Sequence, residues 1–195
     1  MRRVLVIDDH EPSRRHLVAI LSEGGYEIAG EGGSGKIALP LARTAGPDVI
    51  LMAVGLADLD GIDASRDMMR AHPVPIVLTT SHYDSATIER AKLAGVMAYL
   101  VKPLRAEELS PAIELAITRF QEFVALRDEN LTLKETLEAR KHIERAKGLL
   151  MQQRGLSEDQ AYTLIKKTSM NLRKPMAEVA QAIILAGGIF RNDKS

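Results

Sequence analysis

Residues 1–9 read MRRVLVIDD, and residues 48–61 read DVILMAVGLADLDG. In both stretches a short apolar run leads directly into acidic or small residues, which is typical of a buried strand that ends at the edge of a sheet. Three more such runs occur in the first hundred residues and predict strands buried on both faces. The five predicted strands span residues 4–7, 26–29, 49–53, 76–80 and 97–101.

Amphipathic stretches separate these strands, and Gly or Pro follows each stretch closely. The predicted helices span residues 12–23, 36–45, 62–71 and 85–94. Regular alternation of strand and helix implies right-handed crossovers and a doubly wound parallel sheet with helices on both faces. We therefore expect an α/β domain over residues 1–120, with its sites at the carboxyl ends of the strands.

A long helical pattern follows over residues 107–137, with charged residues between its apolar positions. Apolar residues recur at spacings of three and four, and after an offset Leu126, Leu133 and Leu137 continue the stripe, with Asn130 on it. A heptad-like seam of this length predicts a coiled coil that joins two copies of the chain in a homodimer. The alternative is that the seam packs against the chain's own domains.

The tail, residues 138–195, has the pattern of a small three-helix all-α domain. Its first helix is expected to end at Gln153 and its third to begin near Pro175. The second helix starts at Ser157, where Gln160 three residues later completes a capping-box pattern. About fifty residues can bury only a small core.

Composition limits the compartment and the chemistry. The chain has 195 residues and no cysteine, which excludes disulfides and thiolate metal sites. Only four apolar residues follow the two arginines at the N-terminus, too few for a signal peptide, and no stretch approaches the ~18 apolar residues of a membrane span. We expect a cytoplasmic protein that does not contact a membrane.

The net charge of zero hides an asymmetry between the two parts of the chain. Residues 1–137 carry 15 Lys and Arg against 20 Asp and Glu, whereas residues 138–195 carry 11 against 6. A basic tail on an acidic body suggests a polyanionic partner for the tail. A solvated helical surface would show the same charge pattern.

Polar side chains cluster where the predicted strands end. Asp8 and Asp9 end the first strand, and paired carboxylates of this kind bind Mg²⁺. Capping of the next helix would explain them as well. Thr80 and Ser81 supply hydroxyls after the fourth strand, and Lys102 precedes a proline whose cis peptide could direct the ammonium inward.

This part of the chain resembles the receiver domains of two-component response regulators, which have a flavodoxin-like sheet. The resemblance covers residues 1 to about 120 and rests on Ile7-Asp8-Asp9, Thr80-Ser81, Tyr99 and Lys102-Pro103. It implies that Asp8 and Asp9 hold Mg²⁺, that an aspartate ending the third strand accepts a phosphoryl group from a sensor kinase, that Thr80 and Lys102 sense that group, and that Tyr99 changes rotamer.

The acceptor aspartate is absent from the matching position, which Ala53 occupies. Alanine has no nucleophile, so aspartyl phosphate cannot form there. Ala57 also replaces the proline expected in the next loop, which favours a naturally degenerate receiver over a substitution made to block phosphorylation. Asp58 and Asp60 are expected to lie beyond the pocket. In a degenerate receiver, control would enter through a ligand, a sequestering partner or expression level.

An enzyme is the other class to weigh for the acidic cluster. A hydrolase of the aspartyl-phosphate type would use one of the paired carboxylates as a nucleophile. The tail supplies no cap to enclose a substrate, so we expect a regulator and not an enzyme.

The tail resembles the three-helix antitermination domain called ANTAR, from residue 138 to about 185. The resemblance rests on IERAKGLLM at 143–151, GLSE at 155–158, AY at 161–162 and SM at 169–170. It implies binding to RNA hairpins in nascent transcripts, which forestalls a terminator stem. The basic tail shows no convincing two-helix arrangement for reading DNA.

Ten tail residues are candidates for RNA contact, because cations suit phosphates and an aromatic ring can stack on an unpaired base. Core packing between helices is the alternative explanation for Tyr162, and Lys147 could be partly structural. The candidates are Arg140, Lys141, Arg145, Lys147, Arg154, Tyr162, Lys166, Lys167, Arg173 and Lys174.

Overall fold

The computed structural model describes residues 1–82 and 84–189, with side chains up to residue 186. Strands and helices alternate through the first hundred residues, as predicted. The strands are β1 (Arg3–Ile7), β2 (Glu27–Gly32), β3 (Val49–Ala53), β4 (Ile76–Thr80) and β5 (Ala98–Val101). The helices are α1 (Glu11–Glu23), α2 (Gly35–Ala45), α3 (Gly61–Ala71), α4 (Ser85–Leu93), α5 (Ala106–Arg154), α6 (Glu158–Leu172) and α7 (Met176–Ile189).

The five strands form one parallel sheet in the order β2-β1-β3-β4-β5, which confirms the predicted doubly wound fold. In this order the chain goes from β1 to β2 on one side, and then crosses over β1 to β3 and continues to β4 and β5 on the other side. The switch point therefore lies between β1 and β3. A crevice opens at such a switch point, outside the carboxyl ends of the strands. Asp8 follows β1 and Ala53 ends β3, so both lie at that crevice.

The sheet is buried on both faces, as its continuous apolar strands predict. Leu5, Ile7, Ile50 and Met52 belong to a core on one face. Val4, Val6 and Leu51 face the opposite core, which α1 and the start of α5 complete. Complete burial of each such side chain contributes about 1.5–3 kcal/mol, so the cores hold the strand ends rigidly.

The prediction for β2 was wrong at its end, because the strand continues three residues further to Gly32. Gly30 and Gly32 lie inside the strand, and β2 pairs with β1 through Ile7 and Gly32. A Cβ atom on Gly32 would lie 2.9 Å from the end of the Ile37 side chain. A larger residue at this position would require that side chain to shift, and the glycine does not break the strand.

The long helix and the first tail helix, which the sequence analysis assigns to different domains, are continuous in the structure. A single helix, α5, runs for 49 residues and includes both. Gly148 is the one glycine inside it, and a lone glycine costs only about 1 kcal/mol relative to alanine. No helix-breaking residue lies between Pro111 and Gly148, so the helix has no reason to stop.

The chain forms two compact units, residues 1–124 and residues 125–195. In the second unit Ala146 and Leu150 of α5 pack with Ile165 of α6 and Ala180 of α7. The predicted capping box begins α6, since the Ser157 side chain accepts from the N–H of Gln160 and the Gln160 side chain accepts from the N–H of Ser157. The three-helix tail is confirmed, with its first helix supplied by the end of α5.

A helix that crosses a bilayer must be both long and predominantly apolar. Within residues 1–82 and 84–189, no helix combines enough length with enough apolar character to cross a membrane.

Candidate functional site

A cavity of about 410 Å³ opens at the carboxyl ends of β1, β3 and β4. It brings together most of the side chains that the sequence singled out in the first unit. Of the predicted residues, those lining the cavity are Asp8, Asp9, Ala53, Thr80, Ser81 and Lys102. Tyr99 does not line this cavity.

Asp8 and Lys102 form the central ion pair of the cavity. Lys102 Nζ lies 2.5 Å from Asp8 Oδ2, and the Asp8 side chain is only 1% exposed. The peptide between Lys102 and Pro103 is cis, as the sequence suggested. Asp8 Oδ2 also accepts a hydrogen bond from Ser13 Oγ at 2.8 Å, and Oδ1 accepts from the backbone N–H of His10 at 3.1 Å. Both carboxylate oxygens of Asp8 are therefore engaged by the protein.

The cap of α1 is His10 and neither of the two acids. The His10 Nδ1 atom accepts a hydrogen bond from the N–H of Ser13 at 3.3 Å. Asp9 is exposed beside the cavity. The capping alternative for Asp8 and Asp9 is therefore wrong, because a neighbour with a suitable acceptor takes that position.

The hydroxyl-bearing residues after β4 form a local hydrogen-bond network around His82. Thr80 Oγ1 accepts from the N–H of His82 at 3.2 Å, and Ser81 Oγ lies 3.2 Å from His82 Nδ1. The Tyr99 hydroxyl donates to the carbonyl oxygen of His82 at 2.7 Å. His82, which sequence reasoning missed, thus links Thr80, Ser81 and Tyr99.

Asp58 and Asp60 lie in the loop after β3, but neither lines the cavity. Asp58 holds the start of α2, accepting from Ser34 Oγ at 2.6 Å and from the N–H of Gly35 at 2.9 Å. These hydrogen bonds, that of Ser34 first, lower the pKa of Asp58 to about 2. Asp60 caps α3 through the N–H of Ile62 at 2.8 Å. Both carboxylates act as helix caps, in agreement with their expected place beyond the pocket.

Thr79 is a further cavity residue that the sequence pattern did not distinguish from the strand core. Its position in β4 pairs with Ala53 of β3. The Thr79 hydroxyl is buried and has no hydrogen-bond partner among the described residues. An unpaired buried hydroxyl is unusual. Here it belongs to the residue paired with Ala53, whose side chain is only a methyl group.

The resemblance implies a divalent metal at this cavity, whose lining contains the carboxylates of Asp8, Asp9 and Asp84. Mg²⁺ demands a near-octahedral set of oxygen ligands. No group of three or more acidic, histidine or cysteine side chains with suitable geometry occurs in the described part of the chain. Ala53 offers only a methyl group, and Asp8 is already engaged by Lys102. Asp9, the acid next to Asp8 in the sequence, forms no ion pair with a described residue.

The second unit carries a basic surface. Of the ten candidate RNA-contacting residues, nine are exposed. Lys141 and Lys174 pair with Glu138 and Glu178 on the surface. Among these ten candidates, the exposed cations that form no ion pair with a described residue are Arg140, Arg145, Arg154, Lys166, Lys167 and Arg173. These six are available to phosphates without breaking a salt bridge.

One face of α6 combines an aromatic ring, a cation and a thioether. Tyr162, Lys166 and Met170 follow one another at four-residue spacing and so share that face. All three are exposed, Tyr162 by 44% and Met170 by 68%. The core-packing explanation for Tyr162 is therefore wrong, and Met170 is a surface residue that sequence reasoning missed.

Arg173 ends α6 in a left-handed backbone conformation, with φ 52° and ψ 41°. It is the one residue other than glycine with a positive φ among the described residues. A side chain in this conformation costs about 1–2 kcal/mol, and glycine would relieve that cost. An arginine at this position is thus locally unfavourable and is also one of the six unpaired cations.

Lys147 is inside the tail and not on its surface, which corrects the expectation that it belongs to the basic face. The residue is 7% exposed. Its ammonium lies 2.6 Å from Glu158 Oε1 and 2.9 Å from Glu144 Oε2. The hydrogen bond from Lys147 lowers the pKa of Glu158, and the same bond raises the pKa of Lys147. Lys147 thereby joins the end of α5 to the start of α6.

Replacement of Lys147 with methionine is expected to lower the melting temperature of the tail at neutral pH. Methionine keeps the buried stem but loses both ion pairs. Because the folded pKa of Glu158 is lowered, the contribution of this pair is present above the ordinary pKa of glutamate and is lost as the pH falls through the lowered value. The melting difference between variant and parent should therefore shrink in acid, as measured by circular dichroism.

Lys166→Met is the matched control for that measurement, since Lys166 is exposed and unpaired. It should leave the melting temperature nearly unchanged across the same pH range. Equal destabilisation by the two variants at neutral pH would contradict a structural role for Lys147.

The middle of α5 presents the predicted seam to solvent. Phe123, Leu126, Leu133 and Leu137 are all exposed within one chain, Leu133 by 61%. Asn130 lies on the same stripe and is exposed too. The long helix fits a coiled coil, whose seam would cover these side chains.

Comparison with known protein families matches both units of the chain. Residues 4–114 match the model of the response regulator receiver domain, and residues 131–184 match that of the ANTAR domain. The transcriptional regulatory protein PdtaR of Mycobacterium tuberculosis is 44% identical over 183 residues, which cover 94% of this chain and 89% of that protein. The response regulator protein VraR of Staphylococcus aureus is 34% identical over 113 residues, 57% of this chain and 54% of that protein.

Solved structures resemble the first unit. The signal receiver domain of a modulated diguanylate cyclase from Desulfovibrio desulfuricans superimposes with a TM-score of 0.58 and 30% identity, covering 62% of this chain and 97% of that one. The signal receiver domain of the response regulator NarL from Mycobacterium tuberculosis gives a TM-score of 0.57 and 28% identity, covering 60% and 96%.

Proposed function

Because this chain belongs to the response regulators that join a receiver domain to an ANTAR domain, we propose that it is a cytoplasmic transcription antiterminator that binds hairpins in nascent RNA. The matched families are regulators and not enzymes. The observation that carries the proposal is the surface of the tail, which has six exposed cations without an ion pair and, on α6, an exposed face of Tyr162, Lys166 and Met170.

This tail surface supports recognition of a hairpin loop over recognition of a duplex. Cations contribute affinity through phosphates, without regard to sequence. An exposed aromatic ring such as Tyr162 offers a stacking surface that only an unpaired base can use. A hairpin presents both features together, a charged stem and unpaired loop bases.

The exposed seam of α5 supports action as a homodimer. Phe123, Asn130 and Leu137 occupy a positions of a heptad pattern, and Leu126 and Leu133 occupy d positions. A polar asparagine at a single a position is a known determinant of register and of the dimeric state. Two copies joined at this seam would bury four leucine and phenylalanine side chains from each chain.

Charges beside the seam favour parallel helices. Glu122 and Glu129 occupy g positions, while Arg127 and Lys134 occupy e positions. In a parallel pair each g residue faces the e residue of the next heptad on the other helix, so Glu122 meets Arg127 and Glu129 meets Lys134. An antiparallel pair would bring like charges together instead. A parallel dimer would place both tails at the same end of the coiled coil, where two hairpins of one transcript can be bound at once.

Control of this regulator is proposed to run without phosphorylation at the end of β3. Ala53 lines the cavity where a phosphoryl group would be accepted, and alanine cannot accept it. Asp58 and Asp60 are held away from the cavity as helix caps. The cavity therefore favours the second candidate for the switch, in which a partner that sequesters the protein, or a ligand, replaces the sensor kinase's phosphoryl group.

The RNA proposal is tested by selecting hairpins from a pool with one stem and a randomised loop, using the full chain. We expect the selected hairpin to bind more tightly than the same stem with a scrambled loop and than a duplex DNA of the stem sequence. Affinity should fall steeply with salt, with a slope of about −0.7 to −0.9 in log K against log salt for each phosphate contact.

Three variants separate charge, stacking and folding. Arg173→Gly removes an unpaired cation and relieves the left-handed backbone, so RNA binding should weaken while the melting temperature holds or rises. Arg140→Ala should weaken all hairpins alike and reduce the salt slope by about one contact. Tyr162→Leu should reduce discrimination between loops, since the leucine keeps apolar area but cannot stack.

Equal affinity for duplex DNA and hairpin RNA at physiological salt would rule out antitermination by this tail.

A further inference from the structure

The cavity of the first unit contains a buried acid whose charge the protein neutralises by itself. Asp8 is 1% exposed, and Lys102 Nζ lies 2.5 Å from its Oδ2 atom. Ser13 Oγ and the N–H of His10 donate to the same carboxylate, at 2.8 and 3.1 Å. Three donors of the protein thus surround a single carboxylate, one of them a full positive charge.

The positions around this carboxylate leave no set of ligands for a divalent ion. Ala53 presents a methyl group where β3 ends, and the next strand contributes the hydroxyls of Thr79 and Thr80. Asp9 and Asp84 are the exposed acids of the lining, and Asp84 already caps α4 by accepting from the N–H of Thr87 at 2.7 Å. A metal bound here would have to displace Lys102 from Asp8, and Asp9 is the one further carboxylate of the lining without such a partner. Mg²⁺ dehydrates reluctantly and needs stronger compensation than this.

We propose that Lys102 is the permanent cation of this cavity, so that the first unit folds and functions without Mg²⁺. The ammonium takes the electrostatic role of a metal ion, and the absence of an acceptor carboxylate at Ala53 leaves it free to do so. A buried carboxylate without a cation is strongly unfavourable, so Lys102 stabilises the folded first unit and is not a sensor that waits for a phosphoryl group.

The inference is independent of RNA binding by the tail. It concerns residues of the first unit, and its measurements require no RNA. Its failure would leave the proposed antitermination untouched, and failure of RNA binding would leave Lys102 paired with Asp8.

Calorimetric titration of the full chain with magnesium chloride is the first test and needs no variant. We expect no saturable heat of binding up to millimolar metal, and no change in the melting temperature when magnesium is added. Saturable binding at one site, or a magnesium-dependent rise in melting temperature, would overturn the proposal.

Lys102→Met is the second test, because it removes the ammonium and exposes Asp8 to any other cation. The variant should melt at a lower temperature than the parent and should now respond to magnesium. A metal present at ten times its dissociation constant would raise the melting temperature by roughly 3–6 °C. Lys36→Met, which removes an exposed lysine of the same unit outside the cavity lining, should show neither effect.

A double variant keeps the test decisive if Lys102→Met alone fails to fold. Lys102→Met combined with Asp8→Asn removes both charges of the pair, so no unpaired carboxylate remains in the cavity. The double variant should fold, melt at a higher temperature than Lys102→Met and ignore magnesium. A double variant that is no more stable than Lys102→Met would show that Lys102 does not serve to neutralise Asp8.

Discussion

Replacement of Leu133 and Leu137 with glutamate is expected to convert a dimer of this chain into its 21.4 kDa monomer. Both leucines are exposed within one chain and lie on the heptad seam of α5. A buried leucine contributes about 1.5–3 kcal/mol, so the loss of two from each chain costs on the order of 6–12 kcal/mol. That loss raises the dissociation constant by at least about four orders of magnitude. Light scattering at micromolar concentration measures it directly.

The same variant should bind RNA with two adjacent hairpins more weakly while its affinity for one hairpin is retained. Each tail keeps its own contacts, but the second binding event no longer benefits from the shared effective concentration. Leu131→Glu with Thr132→Glu adds the same charge beside the seam, at outward positions, and should leave the dimer intact. A parent chain that is monomeric at micromolar concentration would contradict the coiled-coil dimer.

The orientation of the helices is accessible because the chain contains no cysteine. Asn130→Cys places one thiol at an a position, where only a parallel, in-register pair brings the two copies within disulfide distance. Leu131→Cys, one position away and facing outward, provides the matched control. Crosslinking of both variants to the same extent would indicate random collision and not a parallel seam.

The second large effect concerns phosphorylation. Incubation of the parent chain with acetyl phosphate and Mg²⁺ is expected to give no acid-labile phosphoryl group, whereas Ala53→Asp should become labelled. The reason is the position of Ala53 at the end of β3, within the cavity that also contains Thr80 and Lys102. The added carboxylate would supply the missing nucleophile and an additional oxygen ligand for the metal. Intact-protein mass spectrometry detects the change.

Ala57→Asp provides the control for that gain, since it adds a carboxylate to the neighbouring loop outside the cavity lining. It should remain unlabelled. Stoichiometric phosphorylation of the parent chain at Asp58 or Asp60 would contradict the proposal, because both carboxylates would then have to leave the helix N-termini that they cap.

The sequence predicted the parallel sheet because buried strands and amphipathic helices have different periods, and five such alternations leave few topologies. It also predicted that Asp8, Thr80 and Lys102 lie together at the carboxyl edge of the sheet. It failed at the end of β2, because the expected strand ended at residue 29, whereas Gly30 and Gly32 pair with β1. It also placed the long helix and the first tail helix in different domains, whereas no residue between them stops the helix.

The tail shows a limit of a different kind. In the sequence, Lys147 is one of eleven Lys and Arg residues in 138–195, and composition does not distinguish it from the others. Only the fold shows that its stem is buried and its ammonium lies between Glu144 and Glu158, one of which lies beyond the end of α5. Exposure of Met170 and the left-handed conformation of Arg173 likewise depend on how α6 packs, which spacing alone does not fix.

Every residue from 125 to 138 is exposed within a single chain, although this segment is the middle of α5. None of these residues belongs to a hydrophobic core, and an unsupported helix of this length is marginal in water. Its amide hydrogens should therefore exchange with solvent readily in dilute protein and slowly once a second copy covers the seam. The continuity of α5 thus becomes subject to mass action: dilution loosens the connection between the two cores, and pairing of two chains restores it.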